Sequence, residues 1–108
     1  MPAISMPKGA LAMLILRVLR SGPLHGYAIA QRIRHLSDDV LEAEEGSLYP
    51  ALQRILIEGW VAADWGTSET GRRVRFYRLR PDGAKRLKRE LKEYEQATTA
   101  IQAILRFA

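Results

Sequence analysis

At Trp60 the spacing of apolar residues changes from every third or fourth position to every second, and from Ala84 it changes back. A chain written this way must build helices first, then strands, then a last helix, because the two spacings are the side-chain periods of helix and strand. Three helical segments precede the change. In the first, Leu11, Leu14, Ile15, Val18 and Leu19 form one stripe, Pro7 suits the first turn, and Ser21-Gly22-Pro23 ends it. The second runs from about His25 to Leu36 with Ile29, Ile33 and Leu36 on one face, and Ser37-Asp38-Asp39 closes it. The third begins near Glu45-Gly46-Ser47, where Ser47 or Gly46 can cap, places Pro50 in its first turn, and carries Leu48, Leu52, Ile55 and Leu56 inward as far as Glu58-Gly59.

Beyond Trp60, Val61, Ala63 and Trp65 alternate with Ala62 and Asp64, and Arg73 to Leu79 returns after the polar stretch Gly66 to Gly71. This predicts a two-stranded hairpin with a mobile tip and an arginine-rich return strand, which must pack on the helices because a lone hairpin is marginal in water. Trp60 and Trp65 are expected to pack the hairpin onto the helices. Pro81-Asp82-Gly83 opens the last segment, in which Ala84, Leu87, Leu91, Tyr94, Thr98, Ile101 and Leu105 are alternately three and four positions apart. That spacing is a heptad seam, and a second copy of the chain is its simplest partner. The fold class is therefore mainly α with a small β-hairpin. Residues 1–80 form the first unit and residues 81–108 a C-terminal dimerisation helix.

The 108 residues suffice for one compact core and exclude a large catalytic barrel. Absence of cysteine removes disulfides and thiol chemistry, and two histidines are too few for a histidine metal cage, so neither metal nor cofactor is expected. The longest apolar stretch, Ala10 to Leu16, is far short of the ~20 residues that span a bilayer. With one lysine before it and no small-residue cleavage site, a secretory signal is not expected and the cytoplasm is the default. No serine sits in a nucleophile elbow, and no glycine-rich loop carries the P-loop lysine, so catalysis is not expected either.

Charge is distributed unevenly. Between Arg72 and Lys92 ten basic residues face two acidic ones, with Phe76 and Tyr77 interleaved, whereas Asp38, Asp39, Glu42, Glu44 and Glu45 form an acidic run that reads as a solvated face. Three helices, a basic hairpin and a long helix is the order of a winged helix-turn-helix. In that architecture the third helix enters a DNA major groove, about 12 Å wide, where Arg and Gln distinguish bases by paired hydrogen bonds. Gln53 and Arg54 are accordingly the expected base readers. Arg72, Arg73 and Arg75 of the wing are expected at phosphates or in the minor groove. The rival reading is a winged-helix protein-interaction module whose arginines serve an acidic partner.

His25-Gly26-Tyr27, Glu45-Gly46-Ser47-Leu48-Tyr49-Pro50-Ala51-Leu52, Glu58-Gly59-Trp60-Val61, and Gly71-Arg72-Arg73 leading through Tyr77-Arg78-Leu79 to Pro81-Asp82-Gly83 occur in that order. Together they resemble the PadR family of transcriptional regulators over about residues 8–92. The resemblance implies a dimeric repressor in which helix three enters the major groove of a pseudo-palindromic duplex and the C-terminal helix pairs two subunits, with an effector site between them in some members. It places Ser47, Tyr49 and Pro50 on the family's DNA-facing motif and Tyr27 on its helix-two motif. Arg80 stands where the family often has a capping Thr, and the single short C-terminal helix is similar to the family's small subgroup. From the residues themselves, Tyr27 is expected to pack between helices one and three, and His25 to be hydrogen-bonded at a helix start. The dimer seam is expected at Leu87, Leu91, Tyr94, Thr98, Ile101 and Leu105. Any small apolar or aromatic effector is expected near Tyr94, Phe107 and helix one.

Overall fold

The computed structural model describes residues 4, 5 and 9–107. Helix α1 (Ala10–Leu19) follows Gly9, whose left-handed φ of 86° would strain a residue with a Cβ. Pro7, expected in its first turn, lies outside the described residues. Because α1 touches α2 (Gly26–Leu36), α3 (Glu45–Ile57), β5 (Arg73–Leu79) and α4 (Pro81–Leu105), it is buried over more than one stripe. Met13 and Leu16, which the expected stripe omits, are buried, while Leu11 and Leu14 are only partly so.

Helix α2 buries Ile29 and Ile33. Leu36, expected on the same stripe, is 64% exposed. The chain reverses at once through Asp38 and Asp39, both with left-handed φ, and returns along the Arg34 side of the helix end, leaving Leu36 uncovered. Ser37 holds this reversal: its hydroxyl donates to the Arg34 carbonyl and accepts the Leu41 N–H at 3.0 Å. Arg34 pairs with Asp39 at 3.3 Å and Glu42 at 3.7 Å, so part of the acidic run is neutralised by the preceding helix. The short strands β1 (Ile4–Ser5) and β3 (Leu41–Glu42) pair in parallel beyond it.

Helix α3 starts at Glu45, two residues before Ser47, and Ser47 does not cap it; Glu44 occupies the N-cap position without a side-chain bond. Pro50 therefore falls in the second turn rather than the first. There it removes the bond to the Gly46 carbonyl, a loss that solvent can make good because Gly46 is exposed. Leu48, Leu52 and Ile55 are at most 1% exposed, and each such burial stabilises the fold by about 1.5–3 kcal/mol. Leu56, at the edge of the stripe, is only partly buried.

Strands β4 (Val61–Thr67) and β5 pair antiparallel, from Val61↔Leu79 to Thr67↔Arg73. A strand the alternation did not announce, β2 (Leu24–His25), adds to the other edge of β5, giving the order β2-β5-β4. Two residues are too short to show a period. On the outer face Phe76 lies across Gly66, where a Cβ would come within 2.7 Å of its ring, and His25 meets Phe76 edge-on at 5.6 Å. His25 stands at the N-cap of α2 as expected, but its side chain makes no hydrogen bond among the described residues; the contact with Phe76 takes that place.

Helix α4 begins with Pro81 at its first position, and Arg80 offers no side-chain cap. Its first turn sits against the hairpin base, where Arg80 N–H donates to the Trp60 carbonyl at 3.0 Å. Arg86 lies over the Trp60 ring at 4.9 Å and bonds Glu90 at 2.7 Å, so Trp60 does join hairpin to helix. Leu87 is 2% exposed and belongs to the core of its own chain. The second half of α4 leaves the body of the molecule, which measures 56 × 35 × 22 Å. No helix among the described residues is long and apolar enough to cross a membrane.

Candidate nucleic-acid interface

With Leu48, Leu52 and Ile55 turned into the core, geometry dictates what the rest of α3 presents. About 160° of its circumference, from Tyr49 through Gln53, Gly46, Ile57, Pro50 and Arg54 to Ser47, faces solvent. All five residues expected on this helix are therefore brought together on one exposed face. Gln53 and Arg54 offer the amide and guanidinium that can pair with base edges, and Ser47 lies near the N-terminal end, where a helix presents unpaired N–H groups. Neither side chain of the Gln53 and Arg54 pair is engaged in a hydrogen bond or ion pair among the described residues.

Tyr49 is half exposed, and its ring lies directly on Gly26 at the start of α2. A Cβ at Gly26 would stand 3.0 Å from Tyr49 Cε1 and 3.2 Å from its hydroxyl oxygen. The missing side chain thus seats the ring and fixes α3 against α2 while the phenol edge stays open to solvent. Tyr27, expected between helices one and three, is instead 64% exposed. It follows the buried Gly26, and that glycine, not Tyr27, receives the contact from α3.

The wing follows α3 through the turn Glu58-Gly59-Trp60. Its tip, Ser68 to Arg72, is an organised turn: Ser68 N–H donates to the Arg72 carbonyl at 2.8 Å, Gly71 N–H to the Ser68 carbonyl at 2.9 Å, and Arg72 N–H to the Ser68 hydroxyl at 3.2 Å. Arg72 and Arg73 are exposed and Arg75 is partly buried. Among the described residues none of the three forms an ion pair, whereas Arg78 on the opposite sheet face is paired with Asp64 at 3.2 Å. Three uncompensated guanidinium groups on one projection make a surface for anions whose attraction falls with salt.

Trp65 does not pack the hairpin onto a helix. It is 61% exposed, with the Arg73 guanidinium 4.8 Å and that of Arg75 5.7 Å from its ring centroid. Alternation puts Trp65 on the same strand face as Val61, but β4 has left the core by that point. Strand pairing alone would have set it against Arg75, once the loop was known to run from Ser68 to Arg72.

The seam of α4 divides. Leu87 is buried within its own subunit and Leu91 packs against the same core, so these two are used by the chain itself. Tyr94, Ile101 and Leu105 are exposed, with Thr98 partly so, and Ile104 and Phe107 extend this apolar end. Grooves beside α4 are lined by Arg20, Leu87, Lys88 and Leu91, or by Gln96, Thr99, Ala100 and Ala103; Tyr94 and Phe107 line neither.

Residues 15–89, from within α1 into α4, match the transcriptional regulator PadR-like family. The chain is similar in structure to a transcriptional regulator from Clostridium thermocellum, 31% identical, with a TM-score of 0.82 over 89% of this chain and 93% of that one. A PadR family transcription regulator from Clostridium difficile is 25% identical with a TM-score of 0.77 and covers 90% of this chain and 99% of its own. Another from Eggerthella lenta is 26% identical, with a TM-score of 0.78 over 94% of this chain and 86% of that one. An α3 face open for groove contacts, a cationic wing and a family match over most of its length together make this chain a member of the PadR-like family of transcriptional regulators.

Proposed function

We propose that the protein is a dimeric cytoplasmic repressor that binds a pseudo-palindromic duplex, with α3 in the major groove and the wing at phosphates or in the minor groove. Family membership makes it a transcription regulator that binds DNA and not an enzyme. The observation that carries the finer reading is the exposed arc of Ser47, Tyr49, Pro50, Gln53 and Arg54 on a helix whose other face is sealed in the core. In this reading Gln53 and Arg54 pair with base edges, Ser47, Tyr49 and Pro50 set the helix against the groove, and Arg72, Arg73 and Arg75 neutralise phosphates. The exposed row of Tyr94, Ile101 and Leu105, flanked by Thr98, supports pairing of two copies, since a helix with an unsatisfied apolar stripe needs a partner. Release by a small apolar or aromatic effector held between the subunits completes the scheme.

The test compares duplexes enriched by the protein from a random pool with scrambled ones, across a salt series. Gln53→Ala with Arg54→Ala should cost about 1–3 kcal/mol on the enriched duplex and little on the scrambled one. Arg72→Ala with Arg73→Ala should weaken both alike and reduce the salt slope by about two. Equal losses on both duplexes for both pairs would reject this division of labour, and no binding to any duplex at low salt would favour a protein-interaction module.

A further inference from the structure

Contact with a duplex accounts for arginines on the wing but not for an exposed tryptophan among them. Trp65 is the direct cross-strand neighbour of Arg75 and, one pleat further, the diagonal neighbour of Arg73, so all three share one sheet face. Both guanidinium groups lie within cation–π range of the single indole ring. The Arg75 group also lies 6.0 Å from the ring centroid of the buried Tyr77. Two like charges gathered at one ring, with no carboxylate paired to either among the described residues, repel each other, and in free solvent two flexible side chains would separate. The Arg75 Nε atom is moreover buried with no hydrogen-bond acceptor among the described residues, so packing and not a carboxylate holds this side chain in place.

We propose that Trp65 is the positioning residue of the wing, whose ring holds Arg73 and Arg75 as a two-pronged clamp for the phosphate backbone of a duplex. The clamp rests on the reading of the wing as a DNA contact. An incoming phosphate oxygen accepts from the terminal N–H groups of the two guanidiniums and lies between two charges that then attract it jointly. Because the ring has already restricted both side chains, less rotamer freedom is lost on binding than from free arginines. Tryptophan offers the strongest cation–π face of the aromatic residues, and its exposed position leaves the core independent of it.

The experiment uses the full chain with Trp65→Ala, Trp65→Phe, Arg73→Ala and the Trp65→Ala, Arg73→Ala double variant, against an enriched and a scrambled duplex of equal length. Trp65→Ala should keep the wild-type melting temperature, lose about tenfold in affinity for both duplexes, and flatten the salt slope by about one. Trp65→Phe should recover most of that loss, and Arg73→Ala should cost less when Trp65 is already gone. In the protein without DNA, the Arg73 and Arg75 Nε–H proton resonances should be shifted upfield by the ring current and move downfield in Trp65→Ala. Wild-type binding with unchanged affinity and slope in Trp65→Ala overturns the clamp and leaves the DNA reading standing. Wild-type protein that binds no duplex at low salt overturns that reading, and the clamp with it.

Discussion

Replacing Gly83 by alanine sets two opposing terms against each other, and the structure decides between them. Gly83 is the third residue of α4, where alanine is favoured intrinsically by up to about 1 kcal/mol. Its neighbour is the backbone of the hairpin base: a Cβ would overlap the Trp60 carbonyl oxygen and stand 2.9 Å from Leu79 Cδ1. The same carbonyl accepts the Arg80 N–H at 3.0 Å, so a shift that makes room also breaks the bond joining α4 to the hairpin, at about 1 kcal/mol. Leu87, one turn further along, would be drawn from a site where it is 2% exposed. Overpacking of this kind costs about 1–3 kcal/mol, so the net effect is a destabilisation of about 2 kcal/mol, or a fall of about 8–16 °C in melting temperature for a domain of this size. Gly46→Ala is the control: nothing lies within 4 Å of its Cβ, and the same exchange on α3 should be neutral or stabilising by up to about 1 kcal/mol. Urea unfolding followed by circular dichroism, at one fixed protein concentration, gives both values. A Gly83→Ala midpoint equal to or above wild type would show that the helix and hairpin are not locked together as described.

Gly26→Ala should displace the Tyr49 ring, whose atoms would be 3.0–3.3 Å from the new Cβ. As the ring is half exposed it can swing outward, so stability should fall by less than about 1 kcal/mol while affinity for the enriched duplex falls several-fold. Melting curves and binding titrations on the same samples separate the two effects. On α4, Leu87→Ala should cost about 2–5 kcal/mol of fold stability, because its site is sealed. Ile101→Lys with Leu105→Lys should leave the subunit folded, since both are exposed in the single chain, but shift sedimentation from dimer to monomer. A double variant that sediments as wild type would remove this end of α4 from the proposed pairing surface.

Much of the architecture follows from local patterns. The order of helices, the change of period at Trp60, the turn residues and the heptad spacing each depend on a few neighbouring positions, and local backbone preferences respond to just that range. The exposed arc of α3 was legible for the same reason: once Leu48, Leu52 and Ile55 point inward, the pitch of the helix places Ser47, Tyr49, Gln53 and Arg54 outward. A periodic stripe says which side of an element is apolar but not how far along its length another element covers it. Leu36 and Trp65 lie on the core side of their elements and are exposed because no neighbouring element covers that part of the face; Met13 and Leu16 are buried because α1 is surrounded. One seam on α4 likewise serves two purposes, with Leu87 spent on its own core and Ile101 left open. The seating of Tyr49 on Gly26 and the gathering of Arg73 and Arg75 around Trp65 join residues distant in sequence or across a strand register, and such contacts exist only once the chain has closed on itself.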